Sequence, residues 1–251
     1  MHIAVLAKVV PDYEVPAVDF ELSNNRAHDR YTRMIGLYDE NAIEVGVQLQ
    51  EKYSESLTII SYGNESDIQF LRKAVAMGGE KLVLVTGKSD DPFVIAANLK
   101  MAIERLGNVD LVLAGQQSAD MDRGVVHSIL AEMLGYIFIP QVSRIEKDNR
   151  GWQATQITET GNCELQFTGK GVLSITSVPE NVPRIPAVRN IFAAKKKPVE
   201  KIPESESSKM KIEEISVSIP QMESVCEFLP VDDLYETART LLARLREERY
   251  L

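Results

Sequence analysis

Short apolar runs alternate with longer amphipathic stretches over the first half of the chain. The apolar runs predict buried strands at 3–10, 57–62, 81–86 and 109–114, because parallel strands are covered on both faces. Apolar residues at helical spacing predict helices at 39–52, 66–77, 91–106 and 122–134, the first capped by Asp39. Such alternation implies right-handed crossovers. We therefore predict the α/β class, with an open, mainly parallel, doubly wound sheet.

The pattern changes after Pro140. Strand-like segments at 142–145, 153–160, 164–170 and 172–178 are joined by short turns, which predicts antiparallel additions to the sheet. Prolines at 179, 183, 186, 198 and 203 argue against continuous regular structure, apart from a short helix at 187–196. A short strand at 216–219 and a helix with one apolar face at 232–246 complete a C-terminal arm and helix.

Charge and cysteine content exclude several functions. The net charge of −9 offers no positive surface for nucleic acid. Cys163 and Cys226 have no CxxC or Cys/His spacing and the three histidines are scattered, so we predict no metal site. No apolar run approaches the ~20 residues that span a membrane. The chain begins directly with a strand-like stretch, so we expect no signal peptide, no membrane insertion and a cytoplasmic protein.

The polar loop after the fourth predicted strand is the strongest candidate site. Ligands of open α/β sheets bind beyond the carboxyl ends of the strands, and N–H groups at a helix start favour an anion. Gly124 would allow close backbone approach, and Arg123 could add charge-assisted bonds. The residues alone support equally a helix capped by Asp120 or Asp122. Both aspartates would repel a phosphate, so we expect at least one to face away.

No catalytic group of side chains is predicted. The sequence has no GxGxxG after its first strand, no phosphate-binding GxxxxGK[ST] loop and no GxSxG elbow. A lone His127 on a helix is more typical of a packed residue than of a base. An adenine-nucleotide enzyme such as an ATP-cleaving ligase would need a Ser- and Gly-rich loop after the first strand, where this chain has Lys8-Val9-Val10-Pro11.

Four stretches resemble, in order and spacing over residues 3–202, the beta subunits of electron transfer flavoproteins, including the Fix and carnitine-type group. They are DLVLAGQQSADMDRG from Asp110 with LAEMLG ending at Gly135, YDENAIE from Tyr38, AVAMG from Ala74, and PRIPAVRNIFAAKKK from Pro183. The resemblance implies a Rossmann-like, adenine nucleotide alpha hydrolase-like domain over 1–200. The extended segment before the C-terminal helix has few apolar residues, so we expect the arm and helix at 201–251 to pack on a partner subunit; alternatively, the helix closes the core of its own domain.

The family resemblance further implies an electron carrier without catalytic residues of its own. Such proteins are heterodimers of alpha and beta subunits. They pass electrons from flavin-dependent dehydrogenases, such as an acyl-CoA dehydrogenase, to a quinone reductase or a ferredoxin-type acceptor. The electron-carrying FAD lies mainly on the alpha subunit and touches beta. The beta subunit binds AMP in ordinary members and a second FAD in electron-bifurcating members; a nucleotide-sensing interaction module without flavin remains an alternative.

Nucleotide-binding residues follow from this resemblance by position. They are Leu6, Ala7, Lys8, Leu37, Tyr38, Asp39, Glu40, Tyr62, Ser118, Ala119, Asp120, Asp122, Arg123, Gly124, Val125, Val126, His127, Ser128 and Ile129. Many members have small residues or Gln where this chain has Arg123, Val125 and His127. Arg123 and His127 therefore either compensate by supplying charge or indicate a different nucleotide.

The partner recognition loop follows in the same way, with Pro183, Arg184, Ile185, Val188 and Ile191. Val188 stands where the family often has an anchoring leucine. A smaller side chain buries less apolar area, so it should anchor more weakly. Alternatively, Val188 and Ile191 pack on their own subunit.

Overall fold

The structure is a computed structural model that describes residues 2–16, 19, 21–23, 26–27, 30–205, 211–212, 215, 226, 228–229 and 232–250. The chain forms two compact units, Met1–Val217 and Ser218–Leu251. The strands of the first unit are β1 His2–Leu6, β2 Val9–Pro11, β3 Leu22–Ser23, β4 Arg26–Ala27, β5 Arg33–Ile35, β6 Ser56–Gly63, β7 Lys81–Thr86, β8 Leu111–Gly115, β9 Ile137–Asp148, β10 Gly151–Thr158, β11 Gly161–Phe167, β12 Gly171–Ile175 and β13 Val199–Pro203. Its helices are α1 Leu37–Tyr53, α2 Ile68–Met77, α3 Pro92–Leu106, α4 Val126–Leu134 and α5 Val188–Lys196.

The main sheet has nine strands in the order β11-β10-β9-β12-β8-β1-β6-β7-β13. All neighbours from β9 to β13 pair in parallel, whereas β10 and β11 add an antiparallel edge. Two small antiparallel pairs, β2-β5 and β3-β4, lie in the segment between β1 and α1. This confirms the predicted open, mainly parallel sheet.

Helices cover both faces of the sheet. Along β1, Ile3 and Val5 pack into one buried cluster with residues of α1 and α2, while Ala4 and Leu6 pack into another with α3 and α4. Because both faces of β1 are covered, alternate residues have no reason to be polar. The continuous apolar runs of the sequence have this origin.

Two helix starts differ from the prediction. α1 begins at Leu37, and Asp39 lies in its first turn rather than at its cap. α4 begins at Val126 and not at Asp122. Asp122 and Gly124 have φ of 53° and 57°, a left-handed conformation that a right-handed helix cannot contain. By contrast, Asp91 caps α3 by accepting the N–H of Phe93 at 2.7 Å, with Pro92 in the first turn as predicted.

Three strands also differ from the prediction. The strand expected at 3–10 is broken after Leu6, because β1 joins the main sheet whereas β2 pairs with β5. β12 was expected to be antiparallel, but it runs parallel to β8 and β9 and lies between them. β9 changes register near Gln141, whose φ is 53°; its first half pairs with β12 and its second half with β10. β13 was not predicted because of its flanking prolines. It lies at the sheet edge, where Pro203 removes no internal ladder bond.

The C-terminal part is described only in pieces. The strand expected at 216–219 lies outside the described residues. In the second unit, α6 (Leu234–Glu247) confirms the predicted helix, and the Asp233 carboxylate accepts the N–H of Tyr235 at 2.9 Å at its start. Within the described ranges, no helix is both long and apolar enough to cross a membrane.

Candidate nucleotide site

A cleft of about 600 Å³ opens at the carboxyl ends of β1, β6, β7 and β8. This is the edge at which open α/β sheets bind ligands, and the volume lies within the range of small-molecule sites. Of the residues expected from the sequence, the cleft is lined by Leu6, Ala7, Lys8, Asp39, Tyr62, Ser118, Asp120, Arg123, Gly124, Val125, Val126 and His127. Residues from four separate strand ends are thus brought together.

Seven expected residues lie outside the lining: Leu37, Tyr38, Glu40, Ala119, Asp122, Ser128 and Ile129. Glu40, for example, pairs with Lys73 of α2. The cleft also includes residues that were not expected, namely Tyr31 and Arg33 near β5, Asp67, and the loop Lys88–Asp90 after β7. The loop Lys88–Asp90 could have been expected, because it follows the carboxyl end of β7 and ligands of open α/β sheets bind beyond such ends. The Tyr31 and Arg33 side of the cleft had no such signal.

Residues 116–125, here termed the cradle loop, lead from β8 into α4. No described side chain caps α4 at Val125, so its first-turn N–H groups are available to an anion. Gly124 has a positive φ, and a Cβ atom on it would lie 3.1 Å from the Gln116 carbonyl oxygen. A close-fitting backbone turn followed by an uncapped helix start is the geometry of a phosphate cradle.

The charges of the cradle loop are largely paired. The Lys8 Nζ atom lies 2.7 Å from both carboxylate oxygens of Asp120. Asp122 accepts a hydrogen bond from Gln117 and stays outside the lining, in agreement with the expectation that one aspartate faces away. The Arg123 guanidinium reaches across the cleft and donates to the Asp90 carbonyl at 3.3 Å. Arg123 therefore spans the entrance by a single long bond.

Asp39 lies at the floor of the cleft and joins two strand ends. Its carboxylate accepts the N–H of Lys8 at 2.7 Å and the N–H of Gly115 at 3.0 Å. Burial raises the pKa of Asp39 to about 7, although both N–H donors act in the opposite direction. Gly115 must be glycine here, because a Cβ would lie 2.6 Å from the Asp39 nitrogen.

His127 is packed rather than solvated. Its ring stacks on Phe138 with centroids 5.2 Å apart, and Nε2 lies 2.9 Å from the Gln116 carbonyl oxygen. Burial lowers the pKa of His127, so the ring is neutral at neutral pH. This geometry therefore disfavours the possibility that His127 supplies positive charge to a bound nucleotide.

Tyr62 forms the opposite wall of the cleft. Its hydroxyl donates to Glu204 at 2.6 Å and accepts the N–H of Ser89 at 2.9 Å. Burial and the bond to Glu204 raise the pKa of Tyr62, which therefore stays protonated. The ring packs so closely on Gly87 that a Cβ there would lie 2.5 Å from it. The loop after β7 is thereby fixed to the wall.

The segment from Val182 to Phe192 exposes several apolar side chains, with Ile185 95% exposed and Val188 68%. Between them, Arg184 folds back onto α1. Its guanidinium donates to both oxygens of Glu44 at 2.9 Å and to Glu51 at 2.6 Å, and its backbone N–H donates to Glu44 at 3.1 Å. The apolar residues are therefore displayed from a loop that is fixed at its base.

Comparison with known proteins points to one family. The family model described as "Electron transfer flavoprotein domain" matches residues 28–207. The electron transfer flavoprotein subunit beta of Syntrophomonas wolfei is 30% identical, over 97% of this chain and 95% of that protein. The subunit of the same name from Bacillus subtilis is 30% identical over 86% of each chain. That of Mycobacterium tuberculosis is 32% identical over 79% of this chain and 77% of its own.

Proposed function

This chain belongs to the electron transfer flavoprotein beta-subunit family, and we propose that it binds AMP or FAD in the cleft of its α/β domain as one half of a heterodimer. With an alpha subunit, it passes electrons from flavin-dependent dehydrogenases, such as an acyl-CoA dehydrogenase, to a quinone reductase or a ferredoxin-type acceptor. The electron-carrying FAD is held mainly by the alpha subunit. The flavin supplies the redox chemistry, and this chain positions it.

The observation that carries the proposal is the cradle loop with its uncapped helix start, which faces a cleft at the carboxyl edge of the sheet. The backbone N–H groups of Gly124 to His127 would bind the phosphate, since no side chain of the described residues caps this helix start and Gly124 suits the tight turn beside the Gln116 carbonyl. Arg123 would add a charge-assisted bond by leaving the Asp90 carbonyl, which it holds only at 3.3 Å. Lys8 is already paired with Asp120, so it offsets the negative charge of the loop.

Of the arm and helix at 201–251, residues 201–203 belong to β13 of the main sheet, and we propose that the helix α6 packs on the alpha subunit. α6 presents Leu234, Leu241 and Leu242 along one face, and none of its residues is buried within the chain. An amphipathic helix gains stability only when its apolar face is covered. The alpha subunit is the partner that the family provides for it.

We propose that Ile185 and Val188 of the recognition loop dock on the donor dehydrogenase. Ile191, on the same loop, is 40% exposed and supports the same surface. The exposure of these residues favours docking over the alternative that they pack on their own subunit. Pro183 is half-buried and Arg184 is bound to α1, so both residues shape the loop.

Counting bound cofactors tests the proposal directly. The chain is co-expressed with its alpha subunit, and the purified protein is analysed for flavin by absorbance and for AMP by chromatography of the released nucleotides. One FAD and one AMP per heterodimer support a simple carrier. Two FADs support an electron-bifurcating subunit. A colourless chain that stays monomeric would contradict the proposal; nucleotide without flavin would instead favour a sensing module.

A further inference from the structure

The cradle loop leaves β8 at Gly115 and Gln116, and these two residues are held from both sides. On one side, the Asp39 carboxylate accepts the N–H of Gly115 at 3.0 Å. On the other side, His127 Nε2 lies 2.9 Å from the carbonyl oxygen of Gln116. Because Asp39 belongs to α1 and His127 to α4, the two bonds fix the start of the loop to the first turns of two helices.

The protonation state of His127 follows from its contacts. A carbonyl oxygen only accepts, so Nε2 carries the proton. Nδ1 is buried and has no hydrogen-bond partner among the described residues. A charged ring would leave a buried N–H at Nδ1 without an acceptor, which is costly, and burial accordingly lowers the pKa of His127. The ring is a neutral donor to Gln116 and not a cation for a phosphate.

Asp39 is committed to the backbone in the same way. One carboxylate oxygen accepts the N–H of Lys8 at 2.7 Å and the other accepts the N–H of Gly115. The side chain is therefore used in holding the ends of β1 and β8 together. With both oxygens already accepting backbone N–H groups, and with no positive charge to offer, Asp39 is a poor direct partner for a phosphate.

We propose that Asp39 and His127 are positioning residues of the nucleotide cradle, which hold Gly115 and Gln116 so that the first turn of α4 stays at the cleft. Neither side chain binds the phosphate itself. The inference deepens the proposed function and rests on it, because it requires that the cleft binds an adenine nucleotide. Both residues change from ligand contacts, which the family resemblance implied, to supports of the loop that binds the ligand.

Two substitutions of His127 separate positioning from charge and from packing. His127→Gln places an amide N–H near the position of Nε2, whereas His127→Leu keeps the volume and removes the donor. AMP affinity of the heterodimer is measured by calorimetry at about pH 6 and about pH 8. We expect the Gln variant within about twofold of the wild type and the Leu variant about tenfold weaker, the effect of one lost hydrogen bond. The pH dependence should be the same for the wild type and the Gln variant.

Asp39→Asn tests the contact on the Gly115 side of the loop start. The amide NH₂ would face one of the two backbone N–H donors, and it could not accept that hydrogen bond. We expect AMP binding at least about tenfold weaker. Asp148→Asn, in the turn between β9 and β10, is the matched control and should bind AMP as the wild type does. If Asp39→Asn does not fold, the His127 pair decides.

The outcomes distinguish this inference from the proposed function. A Leu variant that binds AMP as tightly as the Gln variant would overturn the positioning role. A wild-type affinity that rises at low pH, while that of the Gln variant does not, would show a charged His127 on the ligand and also overturn it. A wild-type heterodimer that binds none of AMP, ADP or FAD would overturn the proposed function, and this inference with it.

Discussion

Replacing Arg184 by Gln should destabilise the folded chain, although Arg184 lies in a surface loop. The guanidinium donates to both oxygens of Glu44, which is only 4% exposed. Breaking a buried ion pair costs about 3–5 kcal/mol, because the remaining charge stays buried. Here Glu44 keeps two other donors, the Arg184 backbone N–H and Gln48. Since Arg184 is also partly exposed, we expect a loss of about 2–3 kcal/mol.

Urea unfolding at neutral pH measures this loss, and a lower Tm of about 4–10 °C should accompany it. Glu51→Gln removes the exposed partner and should cost under about 1 kcal/mol. Arg150→Gln, a matched change at an exposed arginine whose ion-pair partner among the described residues is Asp148, should have a similarly small effect. Equal losses for the Arg184 and Arg150 variants would refute the reasoning.

The Glu44–Arg184 pair should also make the free energy of unfolding depend on pH, in a direction set by the pKa of Glu44. Burial raises the pKa of Glu44, but the bonds from Arg184 outweigh burial and leave the pKa below its ordinary value of 4.5. A lowered pKa stabilises the fold fully above the ordinary value and loses this effect as pH falls through the folded value. The difference in unfolding free energy between wild type and Arg184→Gln should therefore shrink below about pH 4.5. A constant difference there would contradict the pairing.

Three further predictions concern the cleft and the recognition loop. Gly115→Ala should cost about 3 kcal/mol in urea unfolding, because its Cβ would meet backbone atoms of α1; a variant as stable as the wild type would exclude that packing. Burial raises the pKa of Asp39 to about 7, so between about pH 4 and about pH 7 the folded chain holds a proton on Asp39 that the unfolded chain has released. The stability of the wild type relative to Asp39→Asn should therefore fall as pH rises over this interval. A rise over that interval would contradict the burial of Asp39. Ile185→Ala should change the unfolding free energy by less than about 0.5 kcal/mol but raise the KM of a donor dehydrogenase for the heterodimer, since Ile185 is 95% exposed; an unchanged KM would count against docking.

Apolar patterning was sufficient for the core of the fold. The strands β1, β6, β7 and β8 are buried on both faces and therefore read as continuous apolar runs. The same patterning could not give the direction of β12, because alternation fixes which face a residue occupies and not the strand with which it pairs. It also missed β13, where two prolines flank an edge strand whose ladder has only one neighbour.

The candidate site could be located from the sequence, but the roles of its residues could not. The strand ends and the polar loop before α4 pointed to the edge of the sheet at which the cleft opens. The partners of Asp39 are backbone groups 31 and 76 residues away, and no local pattern encodes such contacts. Likewise, the late start of α4 depends on the left-handed backbone of Asp122, which its residue type permits but does not require.

One helix connects the two surfaces that the proposed function needs. At its start, α1 supports the cradle loop through Asp39. Further along, Asn41 donates to the Asn181 carbonyl at 3.0 Å, and Glu44 holds Arg184 at the base of the recognition loop. The spacing of Asn41, Glu44, Gln48 and Glu51 places them on one face of α1, toward residues 180–184. In the proposed function, α1 therefore fixes the distance between the nucleotide cleft and the recognition loop.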